Sequence, residues 1–237
     1  MTVTLKHLQA EHNPVAVLEY EPRRARSVTI VAGHGYSSSK HNLDFLCSFL
    51  ASHGYRVLSL DFPGHKLGSS GGTLRGIDDL VDAMGSVIAE AKRSGDAVYT
   101  MGHSMGAMTA LFCAAHDSGI AGVVSITTGY GRPSALDALQ KAGATDFRSS
   151  YVDGLALPDL VAHSTARFEE ALPLLAGRPQ LYVAASRDAM VSPRSVEDLY
   201  HRAPEPKTFV TIESDHTYAG ENARTAVLQW LNERHPR

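Results

Sequence analysis

Residues 97–115 read Ala97-Val-Tyr-Thr-Met-Gly-His-Ser-Met-Gly-Ala-Met-Thr-Ala-Leu-Phe-Cys-Ala-Ala115. The stretch opens with an apolar run long enough for one buried strand, and it closes with small and apolar residues typical of a buried helix. Between them lies Gly102-His103-Ser104-Met105-Gly106, a G-x-S-x-G pattern. A strand that turns at once into a helix strains the middle residue and leaves no room for side chains at its flanks. The pattern therefore predicts a serine oxygen held at a helix N-terminus, where a nucleophile for acyl transfer is needed.

The same pattern occurs a second time, at Gly68-Ser69-Ser70-Gly71-Gly72. This match follows a polar stretch that contains proline and glycine, and no strand is predicted before it. We interpret it as a flexible loop. Only Ser104 has the strand–turn–helix context that gives the pattern its meaning.

The composition is that of an ordinary globular protein with one domain. The chain has 237 residues, of which 43% are hydrophobic and 20% charged, and its formal net charge is −3. The absence of basic runs argues against nucleic acid or an anionic membrane as a partner. No apolar run approaches the roughly 20 residues of a membrane span, and the first residues lack a signal-peptide pattern. Together with two cysteines, Cys47 and Cys113, expected as buried free thiols, these features favour the cytoplasm.

Strand and helix patterns alternate along most of the chain. Strands are predicted at Thr2–Leu8, Pro14–Tyr20, Ser27–Ala32, Tyr55–Asp61, Ala97 to about Met101, Ile120–Thr127, Gln180–Ala185 and Lys207–Ile212. Helices are predicted at Ser38–His53, Ile77–Arg93, from Ser104 to about His116, at Ser192–Arg202 and at Glu221–Arg234. Alternation of this kind predicts an α/β fold with a doubly wound, mostly parallel sheet.

The alternation fails between Gly129 and Gly177. Short amphipathic segments occur there around Ser134–Lys141, Leu157–His163 and Thr165–Leu175, without an apolar strand between them. An insertion of this length in a repeating pattern is more often functional than idle. We expect residues 129–177 to form a small helical cap on a single domain of residues 1–237. A surface elaboration without substrate contact is the alternative.

Serine needs a base, and the base needs an acid that orients it. Because open α/β sheets bind ligands beyond the carboxyl ends of their strands, the partners of Ser104 are expected just after strands. Asp188 follows the predicted strand Gln180–Ala185, and His216 follows Lys207–Ile212. Asp215 is adjacent to His216, but neighbouring side chains rarely meet well enough to orient an imidazole, so Asp188 is favoured.

The order Ser, Asp, His, together with the serine turn and the strand rhythm, resembles the α/β-hydrolase superfamily, and within it small cap-bearing serine esterases and acyl thioesterases. The resemblance covers nearly the whole chain and implies an eight-stranded, mostly parallel sheet flanked by helices, with the cap after the sixth strand. It implies that Ser104 is the nucleophile, His216 the general base and Asp188 the orienting acid. His34-Gly35 matches the His-Gly motif of the family, which implies that the amides of Tyr36 and Met105 form the oxyanion hole.

Other residues near these motifs have less specific interpretations. His34, Gly35 and Tyr130 are candidate substrate contacts, with core packing as the alternative for Tyr130. His103 is expected to pack beneath the serine turn. Arg132 could meet a substrate carboxylate, although an exposed arginine is the commoner case. No cluster with metal-ligand spacing and no phosphate-binding loop occurs, so neither a metal nor a cofactor is expected.

The sequence therefore predicts a serine hydrolase that cleaves a carboxylic ester or thioester of a small acyl substrate through an acyl-enzyme. The same residues would also serve amide, peptide or carbon–carbon hydrolysis, or acyl transfer to a bound alcohol or amine. A hydrolase fold that binds a ligand without catalysis is a third alternative, because fold alone does not imply activity. Nucleic acid and membrane are not expected as partners, and the oligomeric state is left open.

Overall fold

The apolar runs of the chain form one eight-stranded sheet in the computed structural model, which describes residues 1–131 and 143–236. The strands are β1 Thr2–Gln9, β2 Pro14–Glu21, β3 Val28–Gly33, β4 Arg56–Leu60, β5 Ala97–His103, β6 Ile120–Ile126, β7 Gln180–Ala185 and β8 Lys207–Ile212. Across the sheet they follow the order β1-β2-β4-β3-β5-β6-β7-β8. The pairs β1–β2 and β2–β4 are antiparallel and the remaining pairs are parallel. The predicted mostly parallel sheet is confirmed.

Helices cover both faces of the sheet, which is why its central strands are apolar on both sides. They are α1 Asp44–Ser52, α2 Ile77–Lys92, α3 Met105–His116, α4 Ala144–Ser149, α5 Leu157–Ala171, α6 Pro193–Arg202, α7 Ala219–Asn222 and α8 Arg224–Arg234. In β3, Val31 packs in the core shared with α2 and α3, whereas Ile30 packs in the core shared with α1 and α8. The alternation along one strand thus divides the apolar side chains between two layers.

Two predicted helices are interrupted in the structure. The segment predicted at Ser38–His53 begins as a 3-10 turn at Lys40–Leu43 and continues as α1. The segment predicted at Glu221–Arg234 belongs to two helices, α7 and α8, which meet at Ala223. The other predicted elements outside residues 129–177 lie within a few residues of their expected bounds.

The segment after β6 is helical where the structure describes it. The two predicted pieces Leu157–His163 and Thr165–Leu175 form one helix, α5, followed by a 3-10 turn at Leu172–Leu175. The expected break at Ser164 is wrong because its hydroxyl donates to the Val161 carbonyl at 2.8 Å and is satisfied within the helix. Helix α4 was not predicted, and the predicted piece Ser134–Lys141 lies outside the described residues.

Helix α5 packs on α3, the helix that follows the serine turn. The ring of Phe168 lies edge to face on Phe112, with centroids 5.0 Å apart. Leu160, Phe168 and Ala171 all belong to the core on this side of the sheet. Helix α5, in the described part of residues 129–177, therefore packs directly against the helix that follows Ser104.

Both cysteines are buried free thiols, as predicted. Within residues 1–131 and 143–236, no helix has the length and apolar character needed to cross a membrane.

Candidate active site

Ser104 lies at the tight turn between β5 and α3. Its backbone is strained, with φ 53° and ψ −117°, and its amide donates to the Ile126 carbonyl at 2.8 Å. A Cβ atom at Gly102 would lie 2.2 Å from the Gly106 carbonyl carbon, and one at Gly106 would lie 2.1 Å from the Gly33 oxygen. Both flanking positions therefore require glycine, because backbone atoms occupy the space of a side chain.

Asp188 and His216 meet at the ends of β7 and β8. Nδ1 of His216 lies 2.7 Å from Oδ2 of Asp188. The other carboxylate oxygen, Oδ1, accepts hydrogen bonds from the amides of Met190 and Val191, both at 2.8 Å. These contacts fix the carboxylate, and they direct the Nδ1 proton of His216 towards it, so that Nε2 keeps a lone pair.

Asp215, the alternative acid, has a different partner. Its Oδ1 accepts from the Tyr218 amide at 3.0 Å and closes a turn. The geometry therefore favours Asp188 over Asp215 as the partner of His216.

Ser104 and His216 line the same cleft, which has a volume of about 200 Å³. Its polar wall comes from the loop after β3, with Ser37, Ser38 and Asn42, and from Arg148 of α4. Asp188 lies behind His216 and is only 7% exposed. The cleft thus contains a serine and a histidine, and the carboxylate supports the histidine from behind.

A second, smaller pocket of about 70 Å³ opens from the same serine. Its lining is mostly apolar and comes from α3, α5 and the loop after β7, with Met105, Met108, Leu160, Phe168 and Val191. Tyr36, Ser104 and Leu157 line both cavities. Ser104 therefore lies at the junction of a polar cleft and an apolar pocket.

His103 holds the His216 loop from below. Its Nε2 donates to the His216 carbonyl at 2.8 Å, and the two rings are 4.8 Å apart. Burial lowers the pKa of His103 to about 3, and the nearby charge of a protonated His216 acts in the same direction. His103 is therefore neutral at physiological pH and packs at the serine turn, as predicted.

Tyr36 and Met105 lie on either side of the serine, at the ends of β3 and β5. Within the described ranges, neither backbone amide donates to a protein acceptor. The Tyr36 hydroxyl donates to the Leu155 carbonyl at 2.9 Å, which fixes the loop after β3 against the segment before α5. Both amides are therefore free to donate hydrogen bonds to an oxyanion, which is consistent with the predicted oxyanion hole.

Of the three candidate substrate contacts, Gly35 lines the cleft. His34 is completely buried, with Nδ1 donating to the Gly35 carbonyl at 2.8 Å and Nε2 accepting from the Phe62 amide at 3.0 Å. Its side chain thus supports the loop from behind and lines neither of the two cavities.

Tyr130 lies outside both cavities. Its hydroxyl donates to Glu169, and the Arg202 guanidinium stacks on its ring at 4.0 Å. These contacts favour the packing interpretation over a substrate contact. Arg132 lies outside the described residues.

A buried ion pair anchors the far end of the loop after β3, and the sequence analysis missed it. Nζ of Lys40 lies 2.5 Å from Oδ2 of Asp61, and Oδ1 accepts from the Lys40 amide at 2.7 Å. Burial works against the Asp61 charge, yet the bonds from Lys40 and from the Ser69 amide hold the pKa of Asp61 below its usual value. A lysine next to an ordinary loop carries no motif that would have indicated this role.

Ser70, the serine of the second G-x-S-x-G match, belongs to the same structure. Its hydroxyl donates to the Asp61 carbonyl and accepts from the Ala16 amide, both at 2.8 Å. The stretch is a loop, as predicted, but Ser70 is buried and serves as a bridge between two strands. The expected flexibility at this position is not supported.

Comparison with protein families matches residues 30–234 to the alpha/beta hydrolase family. This chain therefore belongs to the alpha/beta hydrolase family. A search of curated protein sequences finds no match.

Several solved structures share the fold. They include an esterase of Pyrococcus furiosus (19% identity, TM-score 0.71, covering 98% of this chain and 92% of that one). The thioesterase domain of the curacin biosynthetic pathway is similar over 97% of this chain and 98% of its own (15% identity, TM-score 0.71). Est1E of Butyrivibrio proteoclasticus, solved with ferulic acid bound, is similar over 98% and 100% (15% identity, TM-score 0.74). At these low sequence identities, the similarity of this chain to the three structures concerns the fold alone.

Proposed function

We propose that this protein is a serine hydrolase that cleaves a small carboxylic ester or thioester through an acyl-enzyme. Ser104 is the nucleophile, His216 the general base, and Asp188 the acid that orients it. The Tyr36 and Met105 amides stabilise the oxyanion. The substrate is a small molecule, and the chemistry requires no cofactor.

The observation that carries the proposal is the fixed Asp188–His216 pair in the same cleft as a strained serine. A carboxylate held by three hydrogen-bond donors keeps the imidazole in one tautomer, with Nε2 available to accept a proton. A serine becomes a useful nucleophile only when such a base is near it. The esterase and thioesterase structures with the same fold add support for the reaction class.

The reaction follows from this arrangement in two halves. Nε2 of His216 takes the Ser104 proton as the oxygen attacks the carbonyl, and negative charge develops on the carbonyl oxygen between the two amides. The imidazolium then gives its proton to the leaving alcohol or thiol, and the acyl-enzyme remains. In the second half His216 activates water, and the acid is released. Loss of one oxyanion donor typically costs about 3–4 kcal/mol of transition-state stabilisation.

A fluorophosphonate probe followed by intact-mass measurement tests the nucleophile. We expect one adduct on the wild-type protein, the same adduct on Ser70→Ala, and none on Ser104→Ala. Ser70 is the matched control because it lies in the same sequence pattern but is buried in a structural bridge. An adduct that persists on Ser104→Ala, or no adduct on the wild type, would refute the proposal.

A further inference from the structure

If the proposed function holds, the two cavities at Ser104 are not equivalent for the reaction. His216 lines the polar cleft and does not line the apolar pocket, whereas Met105 lines only the apolar pocket. The leaving group must receive its proton from His216, so it has to lie on the side of the polar cleft. The acyl group then occupies the apolar pocket, whose small volume fits a short chain.

Arg148 lines the polar cleft, and the described lining residues include no carboxylate. Nη1 of Arg148 lies 3.4 Å from the Ser37 hydroxyl, and within residues 1–131 and 143–236 this arginine has no acidic partner. The two lysines nearby are already paired, Lys40 with Asp61 and Lys66 with Asp153. The guanidinium of Arg148 is thus the cationic group that the cleft leaves available to a ligand.

The backbone around Arg148 is held in place beside the cleft. The segment that follows it pairs with the loop after β4, where the Lys66 amide donates to the Tyr151 carbonyl at 3.0 Å and the Asp153 amide donates to Gly64 at 2.8 Å. The Lys66 ammonium also donates to the Ser150 carbonyl at 2.9 Å. The segment that carries Arg148 beside the cleft is therefore anchored through its backbone to the loop after β4.

We infer that the substrates are esters or thioesters of a short apolar acid whose leaving group carries an anion, a carboxylate or a phosphate, which Arg148 binds. The planar guanidinium fork suits both anions, because it can donate two parallel hydrogen bonds to either. The weak contact to Ser37 is a resting contact that an anion would replace. Arg148 is then a specificity-determining residue of the polar cleft.

Binding of ligands that cannot be hydrolysed tests this inference independently of catalysis. The probes are 4-butoxybenzoate and 4-butoxyphenyl phosphate, compared with the neutral 4-butoxybenzamide, and the dissociation constants are measured by calorimetry. For the wild type we expect at least one anion to bind about tenfold or more tightly than the amide. The preference should fall to about one in Arg148→Gln and survive in part in Arg148→Lys, which keeps the charge but loses the fork.

Arg93→Gln is the matched control, since it removes the same charge from an arginine that directly follows α2 and whose side chain is 81% exposed. Its preference for the anion should equal that of the wild type. Equal binding of anion and amide by the wild type, or an unchanged preference in Arg148→Gln, overturns the inference. Thermal unfolding of each variant verifies that the folded proteins are compared.

Two pairs of esters test whether the anion that Arg148 binds belongs to the leaving group or to the acyl group of the substrate. The first pair is the butyrate ester of 4-hydroxybenzoate and the butyrate ester of 4-hydroxybenzamide, so its anionic member carries the carboxylate on the leaving group. In the second pair the anionic member is a hemisuccinate, which carries the carboxylate on the acyl group. We expect a higher kcat/KM for the anionic member of the first pair only. A preference in the second pair instead would overturn the assignment of the two cavities. If no ester is cleaved while the binding preference follows Arg148, the proposed function fails but the anion site stands.

Discussion

At the scale of single residues, the site depends on which hydrogen bonds each polar group makes. Asp188 accepts from two amides on one oxygen and from His216 on the other. The first two bonds would survive replacement of the carboxylate by a carboxamide whose oxygen occupies the Oδ1 position. The bond from His216 would be lost, because the amide nitrogen at the Oδ2 position is itself a donor. It could pair with His216 only if Nδ1 of that ring were unprotonated.

Asp188→Asn is therefore expected to lower kcat by about a thousandfold or more, while the fold is retained. The wrong tautomer of His216 would leave Nε2 protonated and unable to accept from Ser104. The measurement is kcat on a short-chain ester, with the unfolding midpoint as a check of the fold.

Asp215→Asn is the control for this variant, because Asp215 is adjacent to His216 in sequence but bonds to the Tyr218 amide. Its kcat should stay within about threefold of the wild type. A large loss in Asp215→Asn, with little loss in Asp188→Asn, would exchange the roles of the two aspartates.

Sequence reasoning indicated which residues meet at the candidate site more readily than it indicated the directions of their side chains. Ser104, Asp188 and His216 follow strands, and the parallel sheet brings the ends of those strands together. The motif around His34 correctly indicated the loop, yet it carries no information on where the ring points. The ring lies behind the loop because two backbone groups, the Gly35 carbonyl and the Phe62 amide, each find a partner there. The contact with Phe62, which lies 28 residues further along the chain, is set by the folded structure.

At the scale of elements, the strand–turn–helix unit depends on close approach of two backbones. Helix α3 begins directly after Ser104, and Gly106 in its first turn lies against the end of β3. This contact brings the serine and the loop after β3 to the same side of the sheet. The sequence pattern predicted that the flanks of the turn leave no room for side chains, but it did not predict that Gly106 contacts the end of β3.

Gly106→Ala is expected to lower the free energy of unfolding by at least about 2 kcal/mol, because its Cβ would lie 2.1 Å from the Gly33 oxygen. Gly85→Ala is the matched control, since Gly85 is in the middle of α2 and a Cβ there meets nothing within 4 Å. It should raise the free energy by about 0.5–1 kcal/mol through helix propensity alone. Urea unfolding measures both, and a stabilising Gly106→Ala would contradict this description of the turn.

The helices of the inserted segment were harder to predict than those around the sheet. Leu160, Ser164, Phe168 and Ala171 lie on one face of α5 and are all buried. The sequence indicated two segments on either side of Ser164, whereas the folded helix is continuous and satisfies the Ser164 hydroxyl internally. Polarity alone is a poor guide where a short side chain can bond to its own helix. The function of residues 129–177 as a cap stays a prediction.

At the scale of the whole molecule, the carboxyl edge of the sheet concentrates buried neutral histidines. Burial lowers the pKa of His34 to about 3, and repulsion from His65 acts in the same direction. Burial likewise lowers the pKa of His65 and lowers that of His103 to about 3. Nε2 of His65 is buried without a hydrogen-bond partner in the described part of the chain. Each ring therefore accepts a proton more readily in the unfolded chain than in the folded one.

This difference predicts that the protein loses stability as the pH falls below about 6.5, the ordinary pKa of histidine. Above that pH neither state is protonated and the stability is fully present. Between about pH 6 and pH 4 His34 and His103 take up protons only in the unfolded state, so each of these two rings lowers the free energy of unfolding by about 1 kcal/mol per pH unit. The lowered pKa of His65 acts in the same direction. Urea unfolding followed by Trp230 fluorescence at several pH values measures the slope.

A variant separates these histidines from the other titrating groups. His34→Gln removes one buried ring, and the slope of stability against pH should become less steep by about 1 kcal/mol per pH unit, whatever the absolute stability of the variant. His7→Gln removes an exposed histidine on β1 and should leave the slope of the wild type. If His34→Gln keeps the full slope, other groups cause the loss of stability in acid. If the stability of the wild type is constant down to about pH 4, the predicted loss does not occur.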